Sequence, residues 1–220
     1  SIHLTGQLYS LADNSLLTLT GPDDILVEGS IFVRGENSGL YIESNNGRVK
    51  FATSFVEVED GIEVIGNGQT EDLDREDPLG VGNLASSVLV EATAVIQSFA
   101  AGSDINITGA HDIDLFGSIV AGGSIGPEGV TWSGPDSEVN VVAGEQIYLA
   151  SGVLASGSVN LIGNGAGADD RNRENSRNLS VFVDTAGGVT AAGRTSDGSG
   201  GQVRIYGQAG VEMMGNIYAG

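Results

Sequence analysis

Between Asp104 and Gly123 the apolar residues Ile105, Ile107, Ile113, Leu115 and Ile119 are separated almost entirely by polar residues and glycine. Two residues two apart, a step of six, two more, then a step of four match neither the period of a helix nor one continuous strand. The same intervals return at Val139, Val141, Ile147, Leu149 and Val153, and at Val203, Ile205, Val211, Met213 and Ile217. They also occur at Leu17, Leu19, Ile25, Val27 and Ile31, and with one extra residue at Leu40, Ile42, Val49, Phe51 and Phe55. Five copies make this an internal repeat. Each period-2 pair predicts a short strand with one buried face, and the Gly, Asp, Asn and Ser between pairs predict turns.

Where no insertion intervenes, consecutive copies are centred roughly 20 to 23 residues apart, too short a unit to bury its own apolar face. Each unit must stack on its neighbours. Strands in every unit and no helical period predict an all-β fold, a right-handed parallel β-helix of roughly 8–9 coils. The chain is then one continuous rod over 1–220, with insertions at about 66–86, 124–138 and 163–178. Rungs are spaced by the strand separation of about 4.8 Å.

A longer repeat underlies the coils. "IEVIGNGQTEDLDREDP" from Ile62 resembles "VNLIGNGAGADDRNREN" from Val159, and each charged loop returns to a strand, at Val88–Val90 and at Val181–Val183. The pattern predicts a superrepeat of about four coils. Ile2, Leu4 and Leu8 fall where Ile113, Leu115 and Ile119 do, so the sequence begins inside a coil, and it ends just after Ile217 without a polar cap. Solenoids ordinarily carry capping units. The expectation is a piece of a longer protein, whose neighbours are further segments of that protein; the alternative is a self-assembling filament subunit whose ends stack on other copies.

The cadence of "DINITGAHDIDLFGSIVAGG" and its copies resembles the haemagglutinin-type repeats of large bacterial exoproteins, the filamentous-haemagglutinin-like adhesins. The resemblance covers most of the chain outside the two charged loops and the insertion at 124–138. It implies a bacterial source and an extracellular or cell-surface location, with a glycan or a cell-surface receptor as partner. It transfers no site residue.

Composition narrows the partners. A net charge of −20, with Lys50 the single lysine, disfavours nucleic acid and anionic membrane surfaces, which are held by clustered basic groups. No stretch reaches the roughly 18–20 apolar residues of a membrane-spanning helix, so no membrane insertion is expected. The 35 glycines suit a chain that turns several times per coil, and the absence of cysteine excludes disulfides and thiolate metal sites.

Candidate chemistry lies in the loops. Asp72, Asp74 and Glu76 alternate in one charged loop, and Asp170, Asn172 and Glu174 repeat the spacing in the other. Calcium takes six to eight oxygens, and such alternation supplies several, so these six are the candidate calcium ligands. The competing and preferred reading is a solvated loop whose acids are offset by Arg75, Arg171 and Arg173. Trp132, the only tryptophan, is the candidate binding residue, able to stack on a sugar or anchor a protein contact. The preferred alternative has it fold back with Ile125 and Val130 over the flank of the rod. His3 and His111 lack metal-ligand partners at useful spacing. A polysaccharide-active enzyme requires facing carboxylates, but the outward positions on aligned coils read Asp114, Tyr148 and Glu212, beside Asn106, Asn140 and Arg204. Asp112 and Asp114 are expected to face solvent. No catalytic residue is therefore assigned, and a non-catalytic structural and adhesive role is expected.

Overall fold

The computed structural model describes residues 1–71, 85–165 and 179–220. Among these the fold is all-β with no helix, and three long sheets are purely parallel. The first runs from Ile2–Leu4 through Ile25–Val27, Val49–Phe51, Val88–Val90, Ile113–Leu115, Ile147–Leu149 and Val181–Val183 to Val211–Met213. The second runs from Gln7–Ser10 through Ser30–Val33, Phe55–Val58, Val95–Ser98, Ser118–Ala121, Gly152–Ala155 and Gly188–Ala191 to Asn216–Ala219. The third joins Leu16–Gly21, Gly39–Ser44, Ile62–Gly66, Ile105–Gly109, Glu138–Ala143, Ser158–Gly163 and Val203–Gly207. The chain visits the sheets in the order first, second, third and then starts the next circuit, which is the arrangement a parallel β-helix requires. Among the described residues eight circuits are begun and seven completed.

The repeat intervals are the register of these sheets. Ile105 pairs with Ile62 and Val139, Ile113 with Val88 and Ile147, and Ile119 with Ile96 and Val153. The step of six is the corner from third sheet to first, and the step of four is the corner from first to second. Inward files of Ile, Val and Leu are fully buried through the middle of the stack and form one continuous core. Ile2, Leu4, Val203 and Ile205, in outer circuits, are only partly buried.

Two expectations about the repeat are corrected. Ile31 pairs with Val56, not Phe55, and Val56 is the buried residue. The turn 52–54 holds one more residue than the two-residue turns at 28–29, 116–117 and 150–151, with Thr53 in the left-handed region at φ 44°, and this moves the following strand by one. The Ile-Gly-Asn-Gly corners end strands Ile62–Gly66 and Ser158–Gly163, which lie three circuits apart rather than four. Insertions lengthen the intervening circuits, so counting residues overstated the number of coils.

Corners are held by stacked hydroxyls and amides. At the second-to-third corner Ser98, Ser103, Ser137 and Ser156 are all fully buried. Ser103 Oγ lies 3.0 Å from Ser98 Oγ, Ser103 N–H donates to Ser137 Oγ (3.1 Å), and Ser137 N–H donates to Ser156 Oγ (3.2 Å). These contacts supply partners for backbone groups that leave the sheets while still inside the protein.

Candidate functional site

The six candidate calcium ligands, Asp72, Asp74, Glu76, Asp170, Asn172 and Glu174, lie outside the described residues. Among the described residues no three His, Asp or Glu side chains are grouped so as to hold a metal. His3 Nε2 sits 2.6 Å from Glu28 Oε2, and His111 Nδ1 sits 3.3 Å from Glu145 Oε1.

Trp132 ends an antiparallel hairpin, Gly123–Gly126 with Gly129–Trp132, inserted between the second and third sheets of the fifth circuit. The indole is half-buried and packs against Gly123, where a β-carbon would come within 3.1 Å of its ring. The hairpin is tied to the outer face of the second sheet where Ile125 N–H donates to the buried Gln97 Oε1 (3.2 Å). Ile125 itself keeps 36% of its surface exposed.

The outer face of the first sheet differs from expectation. Asp112 and Asp114 do not face open solvent; they retain 9% and 3% of their surface. Asp114 shares a register file with Leu89 and Tyr148, and Leu89, Phe116 and Tyr148 form a second apolar cluster outside the main core. Tyr148 stacks on Phe182 at 5.5 Å and donates its hydroxyl to Asp184 (2.5 Å). Alternation alone assigns a side chain to the outer face of a sheet; it does not say whether that face is covered.

The outer face of the third sheet carries open polar chemistry. One outward file runs from Thr18 through Tyr41, Glu63, Asn106, Asn140 and Asn160 to Arg204. Its three asparagines form a ladder: Asn140 Nδ2 donates to Asn106 Oδ1 (3.0 Å), and Asn160 Nδ2 donates to Asn140 Oδ1 (2.7 Å). Identical planar amides at rung spacing meet in this way because each has both a donor and an acceptor. Towards the first circuits the file enters a cleft of about 390 Å3, lined by Tyr41, Asp60, Glu63, Asp104 and Asn106. Towards the last circuits it enters a second cleft of about 420 Å3, lined by Asp136, Glu138, Asn160, Asp197 and Arg204. Its far wall is the 192–201 loop, pinned where Asp136 Oδ1 accepts from Ser196 N–H (2.8 Å).

The charges in these clefts are set locally. Burial, the largest cause, pushes the Asp104 carboxyl above its ordinary range, even though its Oδ1 accepts from Glu138 N–H (2.9 Å). The Asp197 carboxyl is lowered, chiefly by the Ser199 backbone N–H it accepts (2.9 Å). The Tyr41 phenol is pushed up to about 12, first by the hydrogen bond it donates to Glu43 (2.6 Å). Glu43→Gln is expected to return that phenol toward 10.0, read by NMR titration of the tyrosine rings. An unchanged titration would show that Glu43 is not the cause.

The repeat pattern places Asn106, Asn140 and Arg204 on one outward face but does not join them to Asn160, Glu63 or the clefts. The available signal was the polar residue midway between each inward pair, read at the same offset in every copy. The loop residues Asp136 and Asp197 left no such signal, because only the folded loop brings them to the sheet. No protein-family model, curated protein or solved structure matches the chain.

Proposed function

We propose that the chain is a non-catalytic structural and adhesive segment of a secreted bacterial surface protein, built as a right-handed parallel β-helical rod. The observation that carries the reading is the unbroken register of three parallel sheets through every circuit. Parallel crossovers of twisted strands are right-handed in nearly all proteins, which supplies the handedness. Eight rungs, separated by seven spacings of about 4.8 Å, give a stack roughly 34 Å from first rung to last. The cell-surface setting rests on the likeness of the sequence repeats to those of exoprotein adhesins.

Its work is mechanical. Hydrogen bonds between strands run along the rod axis, so an axial load falls on many of them together, while the buried Ile, Val and Leu files exclude water from the interior. The outer faces remain available to partners. A net charge of −20 leaves nucleic acid and anionic membranes unattractive as partners.

Small-angle scattering and force spectroscopy test this reading, in buffers with and without millimolar calcium. A single elongated particle that resists axial load and extends circuit by circuit is expected in both buffers. A particle that opens without resistance would end the structural reading. Growth in length on adding calcium would replace the stalk with a self-assembling filament.

A further inference from the structure

We propose that the outer face of the third sheet is a binding track for an extended glycan that lacks acidic groups. The inference rests on the adhesive reading above and gives it a site and a ligand class. The track is the file from Tyr41 through Glu63, Asn106, Asn140 and Asn160 to Arg204, with a cleft at each end.

Hydrogen-bond capacity is the first argument. An asparagine side chain has two N–H donors and two acceptor lone pairs. Within the ladder Asn140 uses one donor and one lone pair, which leaves one of each for a ligand. A sugar hydroxyl is itself both donor and acceptor, so it can satisfy that pair at one point. The three amides are half-buried and tied to one another, so little side-chain freedom is lost when a ligand arrives.

The second argument is the neighbouring file. Beside the amides stand Ile65, Thr108, Val142 and Ile162, ending at Tyr206, which is 58% exposed. A pyranose ring has hydroxyl edges and a C–H face, and a polar file beside an apolar one fits both. Spacing then separates glycan from peptide. Rungs repeat every 4.8 Å or so, close to the repeat of an extended glycan, whereas side chains on one face of an extended peptide recur at about 6.8 Å.

Charge supplies the last restriction. Glu63 lies within the track, Asp104, Glu138 and Asp197 border it, and among the described residues Arg204 is the cation within it. A chain of uronic acids or sulfated sugars would be repelled along most of its length, while neutral or amino sugars would not.

The test uses the whole purified chain and three probes: cellohexaose, a hexamer of glucosamine, and an oligogalacturonate of the same length. Titration calorimetry is expected to show saturable binding of the neutral or the amino hexamer and none of the acidic one. Removing two of the ladder amides in Asn140→Leu/Asn160→Leu is expected to weaken binding about tenfold or more. Tyr206→Ala, which leaves the ladder intact, is expected to weaken it as well, and Thr190→Leu on the second sheet to leave it unchanged. Thermal melts establish that each variant is folded, and Tyr206→Ala decides the matter if the double variant is not. Equal binding of the oligogalacturonate, no binding of either other probe, or folded track variants that bind as the parent does would each overturn the proposal. A chain that resists load yet binds no probe would sink the track alone; a chain that fails under load would sink the stalk.

Discussion

A chain carrying Leu115→Asp is expected to lose the middle of its stack. Leu115 is fully buried, paired in register with Val90 below and Leu149 above, and surrounded by the Ile, Val and Leu files of the core. A carboxylate there has no cationic partner and no water. The cost of an unpaired buried charge is several kcal/mol, comparable with the whole stability of many domains. Because circuits contact only their neighbours, the damage should spread from the fourth, fifth and sixth circuits outward. Hydrogen exchange should show protection falling first around Val88–Val90 and Ile147–Leu149, together with a lowered melting temperature. Thr108→Asp is the matched comparison: the same new charge, seven residues away, on an exposed outward position, expected to change stability by no more than about 0.5 kcal/mol. Equal melting of both variants would mean that the inward and outward assignment of these strands is wrong.

That assignment was legible in the sequence because the buried interior imposes it. Every inward file is continuous across circuits, so a polar residue at Ile107 or Ile119 would be costly, and the spacing of Ile, Val and Leu records the corners directly. Where the spacing misled, the cause is local. The extra turn residue near Thr53 leaves both Phe55 and Val56 apolar, and only the pairing with Ile31 decides between them. The same ambiguity recurs wherever the outer face is itself apolar.

The outer faces were harder to read, for a physical reason. Alternation fixes which side of a sheet a residue occupies, and what lies over that side is decided by segments distant in sequence. Asp114 and Asn106 are both outward residues flanked by inward apolar ones. One keeps 3% of its surface beside an aromatic cluster, and the other lines an open cleft. The amide ladder was visible as single asparagines but not as a unit, because the pairs Asn106–Asn140 and Asn140–Asn160 are separated by 34 and 20 residues. The serine corner was equally available: Ser15, Ser38, Ser103 and Ser137 each stand two residues before an inward apolar residue of the third sheet. From sequence alone serine there signifies turn chemistry, and its second use, as an internal partner for the neighbouring circuit's backbone, needs the fold.

Gly66→Ala is expected to be nearly as damaging, although it adds a single methyl group. Gly66 ends a strand of the third sheet at the corner leading to the first, and a β-carbon there would lie 2.0 Å from the carbonyl oxygen of Ser87 and 2.7 Å from its carbon. A backbone carbonyl cannot swing aside as a side chain would. Ser87 is fixed twice, accepting from Val49 N–H (2.9 Å) and donating its own N–H to Asp112 O (2.8 Å). Making room for the methyl therefore pulls apart the start of two first-sheet strands and leaves a buried N–H without its acceptor. Overpacking costs about 1–3 kcal/mol and an abandoned buried donor about 1–3 more, so a loss on the order of 3 kcal/mol is expected. In a chain of this size that lowers the melting temperature by roughly 6–12 °C. The requirement recurs at Gly163, where a β-carbon would lie 2.1 Å from the Ser180 carbonyl oxygen, but it does not hold at every position of the file. Ala143 occupies the same register position two circuits on, between Gly109 and Gly163, and carries its methyl without displacing the sheet. Ala143→Gly should accordingly cost only about 1 kcal/mol, the ordinary backbone-entropy difference. Equal losses at the two positions would show that the Ser87 carbonyl yields and that the corners are not rigid.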